Sequence, residues 1–191
     1  MKKKLLSVSV ILVLACAVVA LYWYIDRSGK EAEEPVNTVA EQILARDMVN
    51  NYPPTPYAVT EFYCGIVECI YSADTTQEQL ERLVELQRSL FDEEFAALNP
   101  YEELLETTKK ELEDAKEKKL VFTGYILDKA SNVTKWKREG KEYASLMFQL
   151  MSSSENGSGG SYRNMIMRKD SNGKYKILGW ETAEGDAAAV E

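Results

Sequence analysis

Histidine does not occur anywhere in the 191 residues. Its absence excludes Ser-His-Asp and Cys-His catalysis in their usual forms, and with them every zinc site that needs an imidazole ligand. Cysteine is nearly as scarce, at three in the chain. Cys64 and Cys69 stand in a segment that reads as helix, where their axial separation of about 7.5 Å exceeds the roughly 7 Å that a disulfide spans. They are expected as buried free thiols. A Cys-x4-Cys pair with no second ligand pair is not a metal motif, so no metal and no cofactor is expected. There is also no phosphate loop and no nucleophile elbow. Basic charge is in short supply: the first 25 residues hold three of the 23 basic side chains and none of the 31 acidic ones, which leaves the remainder at −11. Nucleic acid, whose phosphates need a basic face, is not expected as a partner.

What the chain has in quantity is apolar residues at its start. Lys2, Lys3 and Lys4 precede a run from Leu5 to Ile25 broken only by Ser7 and Ser9. At about 1.5 Å per residue it reaches roughly the 30 Å of a bilayer's hydrocarbon core. The lysines mark a cytoplasmic end, and Tyr22, Trp23 and Tyr24 fall where an outer aromatic belt would lie. The run exceeds the apolar part of a cleaved signal peptide, about 7 to 15 residues. Ala15-Cys16-Ala17 resembles a cleavage site, and Val13-Leu14-Ala15-Cys16 would suit lipidation of Cys16, but either event would leave residues 17–25 as an apolar stub. The preferred reading is therefore an uncleaved, single-pass signal anchor with its N-terminus in the cytoplasm. All three readings put the remainder outside the cell.

Residues 26–36 read as a polar, flexible linker, residues 37–182 as one domain and residues 183–191 as a disordered tail. About four helices are expected. Thr38 and Glu41 have capping-box spacing ahead of a stripe of Val39, Ile43, Leu44 and Met48. Thr55-Pro56 opens a second helix to about Tyr71, apolar almost all round and suited to a core. Asp74 is the expected cap of a third, carrying Leu80, Leu83, Val84, Leu90 and Phe91. Asn99-Pro100 is read as the start of a fourth, with Leu104, Leu105 and Leu112. After Lys119 the apolar period changes to two. Residues 120–128, 132–138, 141–152, 162–169 and 174–181 read as four or five antiparallel strands, with turns at Glu139-Gly140 and at residues 170–173. Residues 152–161, rich in Ser and Gly, read as a mobile hairpin tip.

Helices followed by an antiparallel meander give an α+β domain with apolar helices laid on one face of a curved sheet. This order, and the ending Arg168-Lys169-Asp170-Ser171-Asn172-Gly173-Lys174-Tyr175-Lys176-Ile177-Leu178-Gly179-Trp180-Glu181, resembles the nuclear transport factor two-like or SnoaL-like superfamily. Over residues 37–182 the chain is also similar to uncharacterised membrane-anchored proteins of clostridia and related Gram-positive bacteria, through Tyr63 to Tyr71, Leu90-Phe91-Asp92-Glu93-Glu94, Asn99-Pro100 and Glu142-Tyr143-Ala144. The resemblance implies a cone-shaped domain without an assigned activity.

Trp136, Tyr125, Phe148, Tyr63 and Trp180 are the aromatic residues expected nearest the interior. They fill the core or enclose an apolar ligand, with Glu68 or Asp128 as a polar contact. An enzyme would need one of those carboxylates with a tyrosine as general acid and base, and their spacing marks no such pair. No catalytic residue is assigned. The leading expectation is a tethered, non-catalytic interaction module docking onto a cell-envelope protein. The alternative is a small-molecule receptor or carrier that uses the cone pocket.

Overall fold

Five helices precede five antiparallel strands among the described residues of the computed structural model, the order that the change of apolar period predicts. Residues 38–183 are described, so the expected anchor at residues 5–25, Cys16, the linker at 26–36 and the tail beyond Ala183 lie outside them. The chain divides into two units, Met1–Thr38 and Val39–Glu191, and every described helix and strand belongs to the second. No described helix is long and apolar enough to cross a membrane.

The helices are α1 (Val39–Leu44), α2 (Pro56–Ile70), α3 (Gln77–Ser89), α4 (Glu93–Leu98) and α5 (Tyr101–Glu117). Helix α2 is the spine. Thr55 caps it by accepting from the Ala58 N–H, and Pro56 occupies the first turn, where a missing N–H costs nothing. Val59, Phe62, Tyr63, Ile66, Val67 and Ile70 are all buried along it. Each such side chain removed from water contributes about 1.5–3 kcal/mol. Cys64 and Cys69 are free and buried, as their spacing predicts.

Several helix ends differ from expectation for local reasons. Helix α1 stops at Leu44, and Val39 is 62% exposed. Past it the Asp47 carboxylate accepts from the Val49 and Asn50 N–H groups and from the Asn50 amide, which fixes a turn before Met48 can join the helix. Helix α3 is capped by Thr76, not Asp74, because Gln79 completes a capping box. Between the expected third and fourth helices lies the short α4, opened by Asp92. Asn99 closes α4 through its amide on the Phe95 carbonyl, and Pro100 itself precedes α5.

The sheet comprises β1 (Val121–Leu127), β2 (Thr134–Arg138), β3 (Lys141–Ser154), β4 (Gly157–Lys169) and β5 (Tyr175–Thr182). Its order is β1-β3-β4-β5, with β2 also paired to β3. Strand β1 pairs with residues 148–153 and β2 with residues 141–145, so the two short strands share one flank of the long β3. The expected Ser/Gly-rich tip is instead ladder: Ser154 pairs with Gly157 and Ser153 with Ser158. Backbone hydrogen bonds carry those rungs without apolar side chains. At the β2–β3 turn Glu139 and Gly140 both have positive φ, 53° and 78°, as a type I′ hairpin requires.

Alternation along β3 and β4 puts Ala144, Leu146, Phe148, Met165 and Met167 in the core beside Ile177. Bulges in β1 at Gly124 (φ 132°) and in β5 at Gly179 (φ 145°) interrupt the ladder and bend those strands. Gly179→Ala is expected to cost about 1–3 kcal/mol, because a Cβ resists that φ. Gly159→Ala, whose Cβ would meet nothing within 4 Å, should stay within about 0.5 kcal/mol of the parent in urea unfolding.

The α3–α4 connector completes the sheet edge. Asp92 N–H donates to Ile177 C=O at 2.7 Å, and Ile177 N–H donates to Leu90 C=O at 2.8 Å. That parallel rung aligns the start of α4 with β5.

Candidate functional site

Two concavities matter. The wider, about 780 Å³, lies between the end of α3, the start of α4 and the β2–β3 and β4–β5 turns, and is lined by Arg88, Arg168, Lys169 and Lys176. Exposed Lys141 also lines it, and the other four cations are already committed. Arg88 donates to the Asn99 and Ala96 carbonyls, Lys169 to Glu142 at 3.0 Å, and Lys176 to the Ser89 carbonyl at 2.7 Å. Arg168 grips both carboxylate oxygens of Asp92 and reaches Glu94 at 3.0 Å. These bonds tie α3, α4 and the sheet together, so the cleft is a structural joint.

The second concavity, about 260 Å³, lies among α2, α3, α4, α5 and the inner faces of β3, β4 and β5. That is room for about eight waters at roughly 30 Å³ each. Its walls are aromatic. Tyr63 meets Phe148 edge-on at 6.2 Å between centroids and tilts against Trp180 at 5.5 Å. Phe95 stands edge-on to Trp180 at 5.6 Å, with Phe91 at 4.6 Å from Phe95. Such edge-to-face pairs hold rings in fixed orientations.

Polar groups share the lining with these rings. Gln87 projects from the buried stripe of α3 and lies against the Tyr63 hydroxyl. Burial pushes the Tyr63 hydroxyl well above the ordinary tyrosine range, and the nearby Arg163 charge offsets only part of that. Tyr63 therefore keeps its proton and can donate a hydrogen bond at neutral pH. The Arg163 guanidinium lies 5.7 Å from the Trp180 ring centroid, as a cation over a π face. Among the described residues it has no carboxylate partner and no side-chain hydrogen bond. On α5, Leu104, Thr108 and Glu111 recur at helical spacing along the wall. Thr108 returns its hydroxyl to the Leu104 carbonyl at 2.8 Å, and exposed Glu111 accepts from the Tyr71 hydroxyl at 3.4 Å.

Of the residues singled out by sequence, Tyr63, Phe148 and Trp180 come together here. Tyr125 packs against the core beside a neighbouring face of α2, where burial and then the charges of that face raise its hydroxyl pKa. Glu68 is exposed on that same helix and does not line the pocket. Trp136 lies outside the interior: β2 is exposed along its whole length, and the indole stacks on Tyr143 at 5.7 Å and 11°. A short edge strand has no helix over it, so an aromatic residue there covers its cross-strand neighbour instead. Asp128 is spent on a turn, accepting from Lys129 N–H and the Asn132 amide.

Gln87, Phe95, Thr108 and Arg163 line the pocket but were not among the candidates. Two carried a signal: Gln87 interrupts an apolar helical stripe, and Arg163 occupies an inward position of β4 in step with Met165 and Met167. Burial pushes the Cys64 and Cys69 thiols up, which keeps them protonated and unreactive at neutral pH. Among the described residues no group of three or more acidic or cysteine side chains could hold a metal ion. A family model described as a domain of unknown function (DUF6715) matches residues 1–180. No curated protein matches the chain.

Proposed function

The chain belongs to the DUF6715 family, whose description names no enzymatic activity, and we propose that it is a membrane-tethered, SnoaL-like domain that binds a small molecule outside the cell. The observation that carries this reading is the aromatic pocket of about 260 Å³ entered by Tyr63, Gln87 and Arg163. Apolar walls with a few convergent polar groups are the usual composition of a ligand site. The tether rests on Lys2 to Lys4 and the apolar run behind them, and the SnoaL-like assignment on the closing strand pair from Arg168 to Glu181. Binding is favoured over catalysis because Glu68 and Asp128, the carboxylates considered for acid-base work, lie outside the pocket.

A second reading, the envelope-docking interaction module, draws support from β2, where all five residues are exposed and Trp136 is 37% exposed. Native mass spectrometry of the full-length protein from its own host's membranes separates the two. The pocket reading expects a reproducible small-molecule mass on the monomer. A stoichiometric second protein with no small-molecule mass overturns it in favour of docking.

A further inference from the structure

Among the described residues Arg163 is the one cation lining the 260 Å³ pocket. Its forked donors are uncommitted among the described residues, while four of the five cations lining the neighbouring cleft have partners and the fifth, Lys141, is exposed. We infer, building on the pocket reading above, that the ligand is a compact monocarboxylate: an aromatic or branched aliphatic body lying against Tyr63, Phe95 and Trp180, with its carboxylate on Arg163.

Three observations narrow the chemistry to this class. A planar guanidinium matches a carboxylate with two parallel hydrogen bonds, and that of Arg163 lies 5.7 Å from the Trp180 ring centroid, among the side chains that line the pocket. The Tyr63 hydroxyl and the Gln87 amide supply further donors to the same anion. Among the described residues the pocket lining offers one cation, which balances one negative charge, so a single carboxylate fits better than a phosphate dianion. Glu111 gives an ammonium little, because it is exposed and already accepts from Tyr71. A zwitterion therefore gains no advantage over the simple acid. The volume sets the size, since it falls below the roughly 300–1,000 Å³ that encloses drug-sized ligands.

The test is calorimetric titration of the detergent-solubilised full chain with 3-phenylpropionate, its neutral amide and phenylalanine, with empty micelles as the blank. The acid is expected to bind at least about tenfold tighter than the amide, about 1.4 kcal/mol. Arg163→Met should bring that ratio close to one, and a circular dichroism spectrum and urea midpoint matching the parent's show that the variant folds. Equal binding of acid and amide to the parent chain overturns the assignment to Arg163 while the pocket reading stands. Tighter binding of phenylalanine than of the acid overturns the monocarboxylate in favour of a zwitterion. No binding of any of the three overturns the pocket reading itself.

Discussion

Asp92→Ala is expected to lower the free energy of unfolding by about 3–5 kcal/mol, the cost of leaving a buried charge without its partner. Asp92 is 5% exposed and the Arg168 side chain 13% exposed, so neither regains much water when the other is removed. The two side chains meet through both carboxylate oxygens, and that contact together with Glu94 raises the Arg168 pKa. The same carboxylate caps α4 by accepting from Glu94 N–H at 3.1 Å, and a lost cap adds about 1 kcal/mol. Because the Asp92 N–H also bonds Ile177 on β5, the variant should loosen α4 and the sheet edge together. Urea unfolding followed by circular dichroism measures the loss. Replacing both partners, Asp92→Leu with Arg168→Met, should cost less than either single change, since no charge is then stranded. Glu94 bonds the same guanidinium but is 71% exposed. Glu94→Ala should therefore stay within about 1 kcal/mol, and its effect should fade with added salt. A loss below about 1 kcal/mol for Asp92→Ala would mean that this ion pair does not clamp the helices to the sheet.

That clamp marks the limit of what the sequence discloses. Periodicity finds α2, because Val59, Phe62, Tyr63, Ile66 and Val67 repeat at the spacing a buried helix needs, and the strands show in the alternation of β3, β4 and β5 and in the aromatic and β-branched residues of β1 and the wholly exposed β2. Both signals are local. The Asp92–Arg168 pair spans 76 residues, and nothing in either neighbourhood announces the other. The short α4 was hidden for a related reason: six residues give less than two helical turns, too few for a stripe. The side chains of the Ser/Gly-rich segment point to a loop, whereas its pairing rests on backbone groups that composition does not report. In the candidate site the large aromatic residues of α2, β3 and β5 were legible, since their size and inward phase both point to the interior. Trp136 had the size and lacked the cover, as β2 is an edge with no helix above it. Gln87 and Arg163 were polar residues in apolar phase, and only the packing of four helices on the sheet turns two such exceptions into one pocket.

Tyr63 is where core and pocket share a side chain, and its ring and hydroxyl can be tested separately. Tyr63→Ala removes a 3% exposed ring that touches Phe148 and Trp180, and should cost about 3–5 kcal/mol. Tyr63→Phe keeps the ring and takes only the hydroxyl from Gln87, which should cost about 0.5–1.5 kcal/mol at pH 7. The second change also alters the response to alkali. Burial holds the folded-state pKa of Tyr63 above its unfolded value of about 10. Below pH 10 both states are protonated, and Tyr63 adds no pH dependence. Above it the unfolded chain ionises while the folded one does not, so parent stability falls by about 1.4 kcal/mol per pH unit from this group alone. Tyr63→Phe escapes that loss. Tyr52, Tyr71 and Cys64, whose pKa values burial also raises, act equally in both proteins and cancel in the comparison. By pH 11.5 the gap between parent and variant should have moved by about 2 kcal/mol in the variant's favour, enough to reverse their order. Parallel stability curves from pH 9 to 11.5 would place the hydroxyl in water, and Tyr63 would then be a core ring with no polar part in the pocket.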